Sequence, residues 1–373
     1  MSERTAPPFR ADHVGSLIRP EPLIAARQAA ERSEMAQSAL QRIQQDAIRD
    51  VVRLQEEMGF KLATDGEFNR ASWQRDFLLK LDNVELIPSR LTVRFHSAAG
   101  TRDHSPPSLR VAGKLNRPHN IFVDDFRFLQ SVARAVPKVT IPSPTVLHFR
   151  GGREAINAEA YPEIGEFYHD LARVYREEIS DLAAAGCRYL QIDEVNLAYL
   201  CDPALRAEVA HIGEDPASLP KTYAKLLNDA IASRPSDMTV CMHLCRGNFA
   251  GAWIAEGGYD PIAELLFNDI DVDGYFLEYD SPRAGSFAPL RFLPKGKVAV
   301  LGLVTSKRAA LEGKDDIKRR IDEAAKVVPL AQLALSPQCG FASTIKGNRL
   351  TMDDQRKKLS LVVETAKDVW GTV

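Results

Sequence analysis

The chain has 373 residues, 45% of them hydrophobic and 26% charged, and a formal net charge of -2. That length suits one large barrel or two ordinary domains with a sizeable core. The near-neutral balance, with basic residues scattered along the chain, gives no general electrostatic reason to expect nucleic acid or an anionic membrane as partner, and a small neutral or acidic substrate is more natural. No stretch approaches the ~20 apolar residues of a membrane-spanning helix, and the polar start MSERTAPPFRADH lacks the apolar core of a secretory signal, so a cytoplasmic protein is expected. The five cysteines, Cys187, Cys201, Cys241, Cys245 and Cys339, are odd in number and widely spread. That pattern fits a reducing compartment and leaves thiols available for metal binding or catalysis.

The first predicted elements are a strand-like run DHVGSLI at 12–18 and a long helical extension at 23–59. Seven further apolar runs follow: FKLATDGEF at 60–68, KVTIPSPTVLHF at 138–149, YLQIDEVNL at 189–197, TVCMHLC at 239–245, DGYFLEYD at 273–280, KVAVLGLVTS at 297–306 and QLALSPQCGF at 332–341. Most are separated by amphipathic stretches such as FYHDLARVYREEISDLAAAG, and this alternation predicts an α/β fold, a (β/α)8 TIM barrel. We expect residues 1–373 to be a single barrel domain. Residues 84–125 read as a strand-rich, hairpin-like insertion after the second barrel strand, able to cap the mouth as a lid. Each run ends in polar or reactive residues: Ser16, Glu67, His148, Asp193 with Glu194, Cys245, Glu278, Thr305 and Cys339. In this fold the C-terminal strand ends converge on one mouth.

His243 and Cys245 stand two residues apart in an apolar run, so an extended chain projects both from one face while Met242 and Leu244 face the other way. Glu278 and Cys339, at the ends of later runs, complete a four-donor zinc set of one nitrogen, two sulfurs and one oxygen. Taken alone, a strand histidine is as readily a hydrogen-bonded core residue. A zinc ion with two thiolates and a carboxylate is a poorer Lewis acid than the His-rich sites of hydrolases, but it keeps a bound substrate thiol deprotonated and nucleophilic. Alkylation of that sulfur is the natural reaction.

The ordered series HVGSLIRP, TDGEFNRASW, YLQIDEV, MHLC, FLEYD, LGLVTSK and SPQCGFAS resembles the catalytic C-terminal half of cobalamin-independent methionine synthase, in its short single-barrel relatives. By that resemblance His243, Cys245, Glu278 and Cys339 match the family's zinc ligands. Asp193 matches the aspartate that holds the ammonium of homocysteine, Glu67 a second acidic contact, and Gly15 with Ser16 the turn that takes its carboxylate. The resemblance implies methyl transfer to the homocysteine thiol from a 5-methyltetrahydrofolate, a methylated corrinoid protein or another activated methyl compound.

The second, N-terminal barrel of full-length synthases is expected to be absent here. Where they carry a proposed acid histidine, this sequence reads VTSK, which leaves Lys307 or His148 as proton donor, against the alternative of basic residues on solvated loops. Trp73 is a candidate wall of the substrate pocket, as is Phe77, although the i, i+4 spacing equally suits helix packing. His13 either lines the mouth beside Ser16 or caps the first strand. Cys187 reads as a core thiol, and Cys201 and Cys241 lack a companion group. Three other readings stay open: addition of a different thiol such as coenzyme M to an epoxide, a structural zinc in a binding module, and a metal-free decarboxylase. The sequence leaves the oligomeric state open, monomer or small homo-oligomer.

Overall fold

The computed structural model describes residues 4–88, 93–97, 100–104, 107–345 and 347–373, and the side chains of Val93, Arg102 and His104 lie outside the description. Within these residues the strands run β1 (Leu62–Ala63), β2 (Val84–Ile87), β3 (Val93–Ser97), β4 (Gly100–His104), β5 (Ser108–Val111), β6 (Val136–Pro137), β7 (Val139–Pro142), β8 (Tyr189–Glu194), β9 (Thr239–Leu244), β10 (Gly274–Glu278), β11 (Val298–Val304) and β12 (Leu333–Pro337).

Strands β7 to β12 pair in sequence order as one six-stranded parallel sheet, and β1 pairs in parallel with β6. Parallel strands covered on both faces need uninterrupted apolar runs, and β8, β10, β11 and β12 are buried along their whole length. The crossovers carry helices with one apolar stripe. In Ile164–Ala184 the buried set Phe167, Leu171, Val174, Ile179 and Leu182 follows helical spacing. Each large side chain so buried contributes roughly 1.5–3 kcal/mol. The chain is thus an α/β fold with a parallel sheet.

The helix Gln37–Met58 lies in the expected N-terminal extension and stops at Gly59, whose φ of 94° supplies the left-handed cap. Residues 12–18, expected as a strand, form no ladder. The Asp12 carboxylate accepts from Phe9 N and His13 N, and Gly15, at φ 129°, turns the chain out of the extended path. The segment touches the sheet just before, where Asp12 N donates to Leu335 O at 3.0 Å and Leu335 N to Arg10 O at 2.9 Å.

Strands β2 and β5 pair antiparallel, as do β3 and β4. Part of the expected Gly/Ser/Pro-bearing tip, residues 98–99 and 105–106, lies outside the described residues. Strand β3 reaches the loop after β9: His96 N donates to Trp253 O at 2.8 Å, Trp253 N donates to His96 O at 2.9 Å, and the Phe95 and Phe249 rings stand 5.5 Å apart. Among the described residues no helix is long and apolar enough to cross a membrane.

Candidate active site

The alternation of β9 sends His243 and, just past the strand end, Cys245 to one side. Cys339 lies beyond the end of β12, on a loop held by Gln338, which donates from its backbone N to Val304 O and accepts from Ser306 N, both at 2.8 Å. The ligand atoms of His243, Cys245 and Cys339 all lie within 4.8 Å of one another, and all three residues are buried. Neither ring nitrogen of His243 has an oxygen or nitrogen partner. An imidazole and two thiols, closely grouped and otherwise unsatisfied, fit zinc.

The two thiols act as a pair. Donation from Cys245, with His243 beside it, holds Cys339 well below the usual thiol range despite burial, and the shared proton pushes Cys245 well above it. Burial opposes the charged form of His243, but the neighbouring Cys339, Asp193 and Glu278 raise it above its ordinary value.

Glu278 ends β10, and its carboxylate stands outside the three-residue group. Arg246 N donates to Oε2 at 2.9 Å and Arg283 Nη2 to Oε1 at 2.6 Å, and Lys307 Nζ lies 3.6 Å from Oε1. Burial disfavours its charge, yet Lys307, Arg283 and Arg246 outweigh that and hold the carboxyl at about 2. The Lys307 side chain is only 6% exposed, so it faces Glu278 and not solvent.

A cavity of about 430 Å³ opens beside the cluster, lined by His243, Cys245 and Cys339 together with Ser16, Glu67, Trp73 and Asp193. The strand register accounts for one neighbour, because Asp193 on β8 is the direct partner of His243 on β9. Asp193 Oδ1 accepts from Gln191 Nε2 at 2.7 Å, and burial pushes its carboxyl up to about 6. Glu67 sits in the turn after β1 with φ 60°, a conformation costly for a non-glycine residue. Its Oε1 accepts from Thr140 Oγ1 at 3.1 Å, its buried Oε2 has no partner, and burial with Asp193 nearby pushes it up to about 7 against Arg70. Gly15 packs on Thr140, where a Cβ would come 2.7 Å from Cγ2.

Other expected residues are placed elsewhere. His148 does not line the cavity. Its Nδ1 meets Tyr223 OH at 2.9 Å and its Nε2 meets Tyr168 OH at 3.1 Å, because the short helix Val146–Phe149 turns it back toward the helical layer. His13 packs edge-on against Phe60, 5.1 Å between centroids, and burial with Lys138 nearby lowers it to about 3. Val14 and Ser16 line the cavity, and His13 does not. Phe77 is fully buried against Phe122 and Tyr175. Cys187, Cys201 and Cys241 are buried, and burial raises each thiol, the first two to about 12.

Sequence reasoning missed Arg19, Arg75, Arg150, Asn248 and Phe95. Arg19 clamps two loops of the site: Nη1 donates to Ala342 O and Thr344 O at 3.0 and 3.1 Å, and Nη2 to Glu67 O and Arg70 O at 2.8 and 2.9 Å. Its place in HVGSLIRP was the available signal. The other four line the cavity from strand β3 (Phe95), the start of the short helix Arg75–Leu78 (Arg75) and loops (Arg150, Asn248).

A family model described as the catalytic domain of cobalamin-independent synthase matches residues 11–368. YxjH of Bacillus subtilis (strain 168), described as uncharacterized, is 45% identical over 365 residues, 97% of this chain and 95% of that protein. A Listeria monocytogenes protein, solved as a candidate vitamin-B12-independent methionine synthase, is 36% identical with a TM-score of 0.78, over 99% of this chain and all of the other. A B12-independent methionine synthase from Shewanella sp. W3-18-1, solved in complex with selenomethionine, shares the fold at a TM-score of 0.72 and 19% identity, over 96% of this chain and 97% of the other.

Proposed function

This chain belongs to the cobalamin-independent methionine synthase family, and from that premise we propose that it is a zinc-dependent S-methyltransferase acting on the thiol of homocysteine. The observation that carries the reading is one cavity walled by both the His243, Cys245 and Cys339 group and the two carboxylates Glu67 and Asp193. Zinc bound there would keep a substrate thiol deprotonated at neutral pH while leaving it nucleophilic.

The chain's own residues bind and orient the amino acid. Asp193 and the unpaired Oε2 of Glu67 accept from its ammonium, while Ser16 and the turn at Gly15 receive its carboxylate. Trp73 walls the pocket and excludes water. Glu278, held by Arg283 and Arg246, is a reserve donor to the metal, and Lys307 behind it balances its charge. Holding the thiol against an oriented methyl donor supplies rate through proximity. The selenomethionine in the Shewanella neighbour supports an amino acid ligand on this fold.

We read the sheet as an eight-stranded barrel, on the strength of the bonds between the Arg10–Asp12 segment and Leu335. The chain is then a single catalytic domain, with residues 84–125 as a lid-bearing insertion and a cytoplasmic location. Calorimetric titration of the zinc-loaded protein with L-homocysteine and with coenzyme M tests the acceptor. Saturable binding of homocysteine alone is expected, because coenzyme M has no ammonium for Glu67 and Asp193. Tighter binding of coenzyme M would sink the assignment.

A further inference from the structure

Gln191 stands on β8 two residues before Asp193, so both side chains leave the strand on the same side. It is fully buried. Its Nε2 donates to Asp193 Oδ1 and to the backbone oxygen of Val14, both at 2.7 Å. One primary amide thus gives its two hydrogens to two separate parts of the pocket wall. Both partners are acceptors, which fixes the amide's orientation, because the flipped group would set its oxygen against a carboxylate and a carbonyl. That orientation leaves Gln191 Oε1 buried without a partner. An unsatisfied buried acceptor is costly, and it calls for a role that the other end of the group fulfils.

Val14 leads into the turn at Gly15 and Ser16, and Val14, Ser16 and Asp193 all line the cavity. Two other side chains hold the backbone of this segment: Lys138 Nζ donates to His13 O and Thr64 Oγ1 to Gly15 O, both at 2.7 Å. Lys138 also pairs with the buried Asp12 at 3.0 Å, and Thr64 Oγ1 accepts from Gly66 N at 3.2 Å. Of the three, Gln191 is the one hydrogen-bonded to an acid of the cavity. An α-amino acid carries its ammonium and its carboxylate on the same carbon, so the acid that takes one and the turn that takes the other must stand at a fixed spacing. A bridge between them sets that spacing before the ligand arrives.

We propose that Gln191 is a positioning residue that locks Asp193 and the Val14–Ser16 turn at one spacing, so that the pocket selects thiols carrying both charges on one carbon. The inference rests on the homocysteine reading above and deepens it. Gln191 touches no substrate atom. It acts through its two partners, and the bond to the Asp193 carboxylate is the stronger because the acceptor is charged. A thiol with an ammonium alone uses Asp193 and draws nothing from the turn, so it is indifferent to the spacing.

The test is calorimetry on zinc-loaded wild type, Gln191→Met and Gln191→Asn, each titrated with L-homocysteine and with 3-aminopropane-1-thiol, the same molecule without its carboxylate. Methionine keeps the volume and removes both donors, while asparagine keeps the amide but is one carbon too short to hold both partners. Wild type is expected to bind homocysteine at least about tenfold more tightly than the amine thiol. In both variants that ratio should fall by about fivefold or more, chiefly through weaker homocysteine, with zinc content unchanged. Equal weakening of the two thiols overturns the proposal, since a purely structural role moves both alike and leaves the ratio where it was. An unchanged ratio with unchanged affinities overturns it, as does equal binding of the two thiols by wild type. Failure of both variants to fold, seen as loss of the melting transition, overturns it too and makes Gln191 a stability residue. Failure of wild type to bind homocysteine is a separate result, read before any variant, which removes the acceptor reading and this proposal with it.

Discussion

Arg283 Nη2 donates to Glu278 Oε1 at 2.6 Å, so the carboxylate expected as the fourth zinc donor is already held by a cation. The same guanidinium stands 4.8 Å over the Trp253 ring, which fixes it from the other side. His243, Cys245 and Cys339 are grouped so that they could hold a metal ion as they stand, whereas Glu278 would have to exchange one partner for another to join them.

The metal should therefore depend unequally on these residues. Cys245→Ser and Cys339→Ser are expected to lose nearly all zinc while the fold persists, since packed strand side chains carry barrel stability. Glu278→Gln is expected to keep zinc with roughly 10–100-fold lower affinity, the range typical of supporting groups. Metal content and competition against a chromogenic chelator read both. Full zinc retention by the cysteine variants would refute the assignment.

Asp193 is the in-register neighbour of His243 and faces the cavity. Asp193→Asn keeps the shape and removes the charge opposite the ammonium. Losing one partner of a buried charged pair costs about 2 kcal/mol or more, so the homocysteine Kd should rise roughly 30-fold. An unchanged Kd by calorimetry would remove Asp193 from the amino acid site.

Glu67 titrates at about 7, raised from 4.5 chiefly by burial. The folded state then holds a proton that the unfolded state releases between about pH 4.5 and 7. The raised value is thus a stability contribution present below about pH 4.5 and lost as pH rises through 7. Glu67→Gln should melt higher than wild type at pH 8, by up to about 3 kcal/mol, and the difference should vanish near pH 4. Homocysteine, which needs the carboxylate, should bind wild type more weakly as pH falls below 7. Melting curves and titrations across pH 5–8 check both signs.

Gly340 follows the Cys339 ligand, and a Cβ there would collide with Ser16 Oγ. Gly340→Ala is expected to cost about 1–3 kcal/mol, as overpacking does. Adding Ser16→Ala removes the struck atom and should recover much of that loss in a double-mutant cycle. Strict additivity in denaturant melts would mean that the two loops do not meet as described.

The parallel sheet was legible because strands buried on both faces must be apolar, and β8 to β12 fall inside the expected runs. The first run failed as a ladder because Asp12 and Gly15 bend it, through hydrogen bonds and a positive φ that hydrophobicity does not encode. Spacing alone put His243 and Cys245 on one side, where the structure groups them with Cys339. It did not separate Ser16 from His13, although a period of two applied backward from Ser16 selects Val14. His148 shows the opposite limit, for its ring direction is set by Tyr168 and Tyr223 on distant helices.

The most direct test of the central claim is zinc K-edge absorption of the purified protein before and after adding L-homocysteine. The account predicts two sulfur neighbours, from Cys245 and Cys339, rising to three with homocysteine. A metal shell that does not change when homocysteine is added would mean that the ion is structural, and it would contradict the methyltransferase account.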